Sequence, residues 1–215
     1  MTPRYQTPEM KELWSDEKKY AVWLAVEVIV AKVQFPFDDF DGLKNPSSEE
    51  VGQAEERTRH EFAAFLDAVR QVNSTRDLRK LHYGLGASDI IDTALAVILY
   101  EAIDFIRCAL VDLLREINFQ AAAHEETRML GRTHGMAAEP ITFRHKLLSW
   151  FEGLSRSETN LLQARNLIAV GKASGEVGTY AHTDPRVERS ICQKLGLVPE
   201  IASTQIVARD RHAFL

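Results

Sequence analysis

Cysteine is scarce in this chain of 215 residues, with only Cys108 and Cys192. Two thiols so far apart build neither a disulfide framework nor a thiolate metal site, and both are expected as buried free thiols. A basic excess is also missing. Lys and Arg number 26 against 31 Asp and Glu, for a formal net charge of −5, whereas a general phosphate-backbone binder carries a basic face; nucleic acid is not an expected partner. No window reaches the roughly 18 to 20 uncharged apolar residues of a membrane span. The nearest, Tyr20 to Val33, contains Glu27 and Lys32. Met1 to Gln6 lacks the apolar segment of a secretory signal, so a reducing cytoplasm is the expected compartment.

Several chemical signatures are absent as well. No two histidines stand four apart beside a carboxylate, as a helical zinc site requires, and His124 with Glu125 and Glu126 has no second histidine; no metal is expected. There is no phosphate-cradling P-loop, and the glycine-rich run from Gly171 to Gly178 follows a helical pattern rather than a strand, which removes the dinucleotide fingerprint. No serine sits in a nucleophile elbow, so acyl transfer falls too. Proton chemistry remains.

What is present is helical, and 45% of the residues are hydrophobic, enough for a sizeable core. Thr7 before Pro8 is a helix start, followed by a short helix to about Trp14, and Ser15 can cap a helix that is apolar on almost every face from Ala21 to Val33. Pro36 stops it. Ser47 and Glu50 have capping-box spacing for a helix to about Asn73, and Leu81 to Ala87 reads as a turn. From Ala87 to Leu130 there is no Gly or Pro, and Ile91, Leu95, Ile98, Ala102 and Ile106 recur at helical spacing. Such a helix is on the order of 50 to 60 Å long. A compact monomer of this size would leave much of it uncovered, so a bundle shared between subunits is expected. A second long helix is expected from about Pro140 to Val170, and Asp184 with Pro185 opens a short one closed by Gly196. No strand pattern is seen. The expected fold is all-α, divided near Gly86 into a small N-terminal helical domain (residues 1–86) and the first part of a long-helix bundle domain (residues 87–215).

The run from Gly131 to Phe143 breaks the helical pattern and presents His134 between Thr133 and Gly135. Two other histidines accompany arginines or turns: His60 after Arg57 and Arg59, and His82 before Tyr83 and Gly84. A lone histidine is more often a structural hydrogen-bonding group than a catalyst. Three of them in such settings point to a site.

Arg4, Tyr5, Pro8, Glu9 and Met10; Thr58, Arg59 and His60; His82 to Leu85 with Ser88 and Asp89; Gly131 to Phe143; Gly171 to Tyr180; and Ser203, Thr204, Gln205 with Arg209 to His212 together resemble the adenylosuccinate lyases of the fumarase/aspartase superfamily. The resemblance runs in order along nearly the whole chain. It implies a homotetramer with active sites shared between subunits, and a β-elimination that releases fumarate from adenylosuccinate and from the succinyl-carboxamide ribotide of purine synthesis, without metal or organic cofactor. Cleaving a C–N bond beside a carbanion needs a base for carbon and an acid for the leaving nitrogen; His134 suits the acid, since histidine titrates near neutrality. Arg4, Arg59, His60 and His82 are the implied anchors for a polyanionic substrate. Tyr5 is implied at the nucleotide, and Thr133, Ser88 and Gln205 at the succinyl oxygens.

Two departures stand out. Gly86 and Ala87 occupy positions where the family usually has Thr and Ser, a loss of two hydroxyl donors worth about 0.5 to 3 kcal/mol each. The family's flexible loop with the serine taken as general base lies downstream of the matched region, so the chain is expected to be an N-terminal half, inactive alone. The alternatives are a non-catalytic helical oligomerisation protein and a superfamily lyase with another succinyl substrate.

Overall fold

The computed structural model describes residues 2–215. Its helices begin where short-range chemistry satisfies their first N–H groups. Thr7 Oγ1 accepts from the Met10 N–H at 3.3 Å at the head of α1 (Pro8–Leu13), and Ser15 Oγ from Lys18 at 3.1 Å at the head of α2 (Asp16–Gln34). Ser47 and Glu50 form the reciprocal capping box of α3 (Ser48–Thr58). The helix expected to continue to Asn73 is instead broken in two. Arg59 turns left-handed at φ +55° and closes α3, and His60 caps α4 (Glu61–Val72) by accepting the Ala63 N–H at 3.4 Å. Neither Gly nor Pro announces the break, because an arginine takes the role glycine usually fills.

The long helix α5 (Ala87–Ala123) has 37 residues and stops seven short of Leu130. Beyond it, β1 (Arg128–Thr133) and β2 (Met136–Thr142) form an antiparallel hairpin, the first correction to a reading without strands. Pro140 lies in β2 opposite Leu130, so α6 (Phe143–Ile168) starts three residues later than expected. A parallel pair, β3 (Val170–Gly171) with β4 (Val198–Pro199), is bridged by α7 (Pro185–Leu195), which Asp184 caps and Gly196 closes. A last short helix, α8, covers Asp210–Ala213. The fold is all-α with two small ladders. Among the described residues no helix is long and apolar enough to cross a membrane.

The chain folds as two compact units, one comprising residues up to Ala102 with Leu167–Phe214, the other Ile103–Asn166 with Leu215. In the first, α2 is covered on several sides, with the Trp23 ring 5.3 Å from both Phe62 and Phe65 of α4, and Val26, Val51 and Val69 fully buried. That explains why α2 is apolar all round. In the second, Ile117 and Ala121 pack with Leu147 of α6, and Arg165 grips the Asp104 carboxylate with two bonds of 2.7 and 2.9 Å. Cys192 is buried as expected, but Cys108 is exposed, because its position on α5 faces solvent.

Candidate active site

Three polar side chains, Asp89, Asp92 and Thr93, fall on one face of α5 at i, i+3, i+4 spacing and are buried. Each holds another segment. The Asp89 carboxylate accepts the Gly86 N–H (2.8 Å) and Gly175 N–H (3.0 Å) on Oδ2, and Ser174 N–H (3.2 Å) and the Lys172 ammonium on Oδ1. Lys172 also donates to the Gly175 carbonyl, and its backbone N–H and C=O both pair with the Thr93 hydroxyl. Asp92 receives the Val207 N–H and the Arg209 guanidinium. One turn of helix thereby fixes the 84–86 turn, the glycine-rich 171–180 segment and the 203–209 segment. Ser174 and Ser203 hydroxyls meet at 3.2 Å. Glu188 of α7 adds a further tie, accepting Ala173 N–H and the Tyr180 hydroxyl. Burial, then this hydrogen bond to Glu188, pushes the Tyr180 phenol pKa up, so it acts as a donor. Burial pushes the neighbouring Cys192 thiol up to about 12, which makes it inert.

Within this unit His82 is held at φ +66°. Its Nδ1 stands 2.6 Å from Glu27 Oε1, and its ring packs 5.0 Å from that of Phe62, in the first turn of the helix that His60 caps. The expected anchors His82 and His60 thus both lie at the N-terminal end of α4, with exposed Arg59 next to His60 in the chain. Gly86 and Ser88 lie at the start of α5, and a side chain on Gly86 would meet the Glu176 carboxyl group at 3.0 Å. Arg4 stacks over the exposed Tyr5 ring at 6.0 Å in a short 3₁₀ turn, Pro3–Tyr5. Gln205 is exposed. None of these three forms a hydrogen bond to another candidate anchor among the described residues.

Thr133 and His134 belong to the second unit. The segment read as a loop is a hairpin: Thr133 faces Met136, leaving His134 and Gly135 as a two-residue turn with φ of +50° and +76°. Two positive φ values mark a type I′ turn, which matches strand twist and usually takes Asn–Gly. Gly131 permits the bulge below it, since any Cβ there would collide with the Glu139 carbonyl oxygen. His134 is exposed, and its ring has no hydrogen-bond partner among the described residues. Among the described residues, four that are not glycine have positive φ: Arg59, His82, His134 and Tyr180. All four lie in the recognised motifs, and each such conformation costs of order 1 to 3 kcal/mol that surrounding structure must offset.

The pattern of a lyase is borne out by comparison. A family model described as lyase matches residues 34–215. The chain belongs to this lyase family. It is 43% identical to the adenylosuccinate lyase of Synechocystis sp. over 99% of this chain and 51% of that protein, and 41% identical to the adenylosuccinate lyase of Bacillus subtilis over the same shares. The crystal structure of a fumarate lyase from Mesorhizobium sp. BNC1 superposes with a TM-score of 0.84 at 25% identity, covering 95% of this chain and 51% of that one. The chain spans about half the length of the curated relatives it matches.

Within the lyase scaffold, sequence reasoning overlooked Glu27, Asp92, Thr93 and Glu188. Asp92 and Thr93 had a visible signal, being polar residues at helical spacing from Asp89 within an apolar stretch. Glu27 registered only as a charge interrupting an apolar run. A solitary carboxylate in such a run is also a reason to search for a buried partner.

Proposed function

We propose that this chain supplies the acid-bearing part of a fumarate-releasing C–N lyase acting on adenylosuccinate and on the succinyl-carboxamide ribotide, within AMP and IMP biosynthesis. The observation that carries this reading is His134 itself, held at positive φ on the tip of an exposed hairpin with its ring free of hydrogen bonds among the described residues. Identities of 36 to 43% with adenylosuccinate lyases over essentially the whole chain support it. In the proposed step a base removes the proton from the carbon next to the one bearing nitrogen. That electron pair forms the C=C of fumarate, the C–N bond breaks toward nitrogen, and imidazolium His134 gives the nitrogen its proton. The base we place outside these 215 residues. Arg4, Arg59, His60 and His82 anchor the phosphate and carboxylates, Tyr5 meets the nucleotide, and Thr133, Ser88 and Gln205 bind succinyl oxygens.

The working form we propose is a cytoplasmic homotetramer with shared sites. Large apolar side chains left in solvent support this, among them Phe105, Leu113 and Phe119 of α5 and Trp150 of α6, which are 47 to 66% exposed. In the longest native reading frame that contains the chain, fumarate absorbance should report turnover. His134→Ala should lower kcat by ~10² or more while sparing KM, and unchanged turnover would remove His134 from the mechanism.

A further inference from the structure

Glu27 is the least expected charge in the molecule. It lies in the middle of α2, is 0% exposed, and is flanked along the helix by buried Trp23, Val26, Val30 and Ala31. A carboxylate so placed is costly unless a hydrogen-bonding or charged partner is supplied. Its Oε1 has one, His82 Nδ1 at 2.6 Å, and its Oε2 has none among the described residues. The histidine has correspondingly few freedoms. Its backbone sits at φ +66°, its ring leans on Phe62, and its side chain is 18% exposed. A position needing only a left-handed turn is ordinarily given to glycine or asparagine. Here a larger residue is kept there and its ring is bonded to a buried acid.

We infer that Glu27 is a positioning residue for His82: its carboxylate accepts the Nδ1–H, fixes the ring's tautomer and orientation, and leaves Nε2 as the nitrogen available to an anionic ligand. Neutral, such a ring presents Nε2 as an acceptor. Protonated, it presents a charged N–H donor whose countercharge is already buried behind it, so anion binding requires no reorganisation. The role assigned to His82 as an anchor rests on the lyase reading, whereas the Glu27–His82 bond stands on the geometry alone.

The test separates the two. In the chain labelled with ¹⁵N-histidine, ring-nitrogen NMR should find the neutral His82 protonated on Nδ1. In Glu27→Leu, with folding checked by circular dichroism, the proton should move to Nε2. Wild-type His82 carrying its proton on Nε2, or a Leu variant that keeps Nδ1–H, overturns the inference. Because Glu27→Leu risks misfolding, Glu27→Gln keeps the shape and removes the charge; in the longest native reading frame it should raise KM about tenfold with kcat little changed. A fall in kcat at unaltered KM also overturns it. If the wild-type frame releases no fumarate, the lyase reading fails and the NMR result decides the inference by itself.

Discussion

The segments gathered on the first turns of α5 and the hairpin between α5 and α6 both carry histidines at positive φ, yet they are built in opposite ways. Around Asp89 and Lys172 the polar groups are buried and paired with one another, and His82 is braced by Glu27 and Phe62. The hairpin is mostly exposed, and its His134 is fixed by backbone geometry alone. The first arrangement holds side chains in place before any ligand arrives, which is what a binding surface needs. The second presents one group outward and relies on a turn type for its aim. The proposed binding and acid roles thus rest on separable structural supports, and mutations should separate them.

The largest effect is expected at the paired centre. Asp89→Ala leaves a fully buried Lys172 ammonium without its carboxylate and takes the acceptor from three backbone N–H groups. Breaking a buried pair from one side costs about 3 to 5 kcal/mol, a large share of the 5 to 15 kcal/mol typical of a domain. Urea unfolding should show that drop, and a loss below about 1 kcal/mol would mean the network is not what holds these loops. Removing both charges, with Lys172→Met added, should recover part of the stability.

An intermediate effect is expected at the braced histidine. His82→Gly leaves the Glu27 carboxylate buried with no partner, at about 3 to 5 kcal/mol, and relieves a left-handed backbone worth roughly 1 to 2 kcal/mol, so a net loss is expected. Thermal denaturation measures it, and an unchanged Tm would show that Glu27 draws nothing from His82.

How much of this could be read beforehand depended on the range of the interaction. Caps at Thr7, Ser15, Ser47 and Asp184 were legible because a side chain and the N–H it satisfies lie within three residues. The resemblance to a lyase was legible from motifs, and so was the prominence of His134. The break at Arg59 was not, since a non-glycine residue there adopts a conformation set by the packing of α3 against α4 rather than by its own preference. The hairpin was hidden because His134–Gly135 stands in place of the usual Asn–Gly and Pro140 sits inside a strand. Glu27 pairs with a residue 55 positions away, and no local pattern encodes such a contact. Helix starts set by a local cap were therefore visible, while the break at Arg59, the end of α5 and the polar ties between distant segments were not.

The smallest effect on the fold is expected at His134, and it sharpens the contrast most. Placing a non-glycine residue in the left-handed region costs roughly 1 to 2 kcal/mol, so His134→Gly removes that strain. Against this, glycine gives the unfolded chain more freedom, worth about 0.4 to 1 kcal/mol, and His134 has no side-chain hydrogen bond among the described residues to lose. The second term offsets about half of the first, so Tm should hold or rise by a few degrees while His82→Gly lowers it. Amide exchange of the 128–142 hairpin should be unaltered as well. A marked destabilisation by His134→Gly would show that the imidazole is bound within the folded chain, and the proposed division between a braced anchor and a presented acid would then be lost.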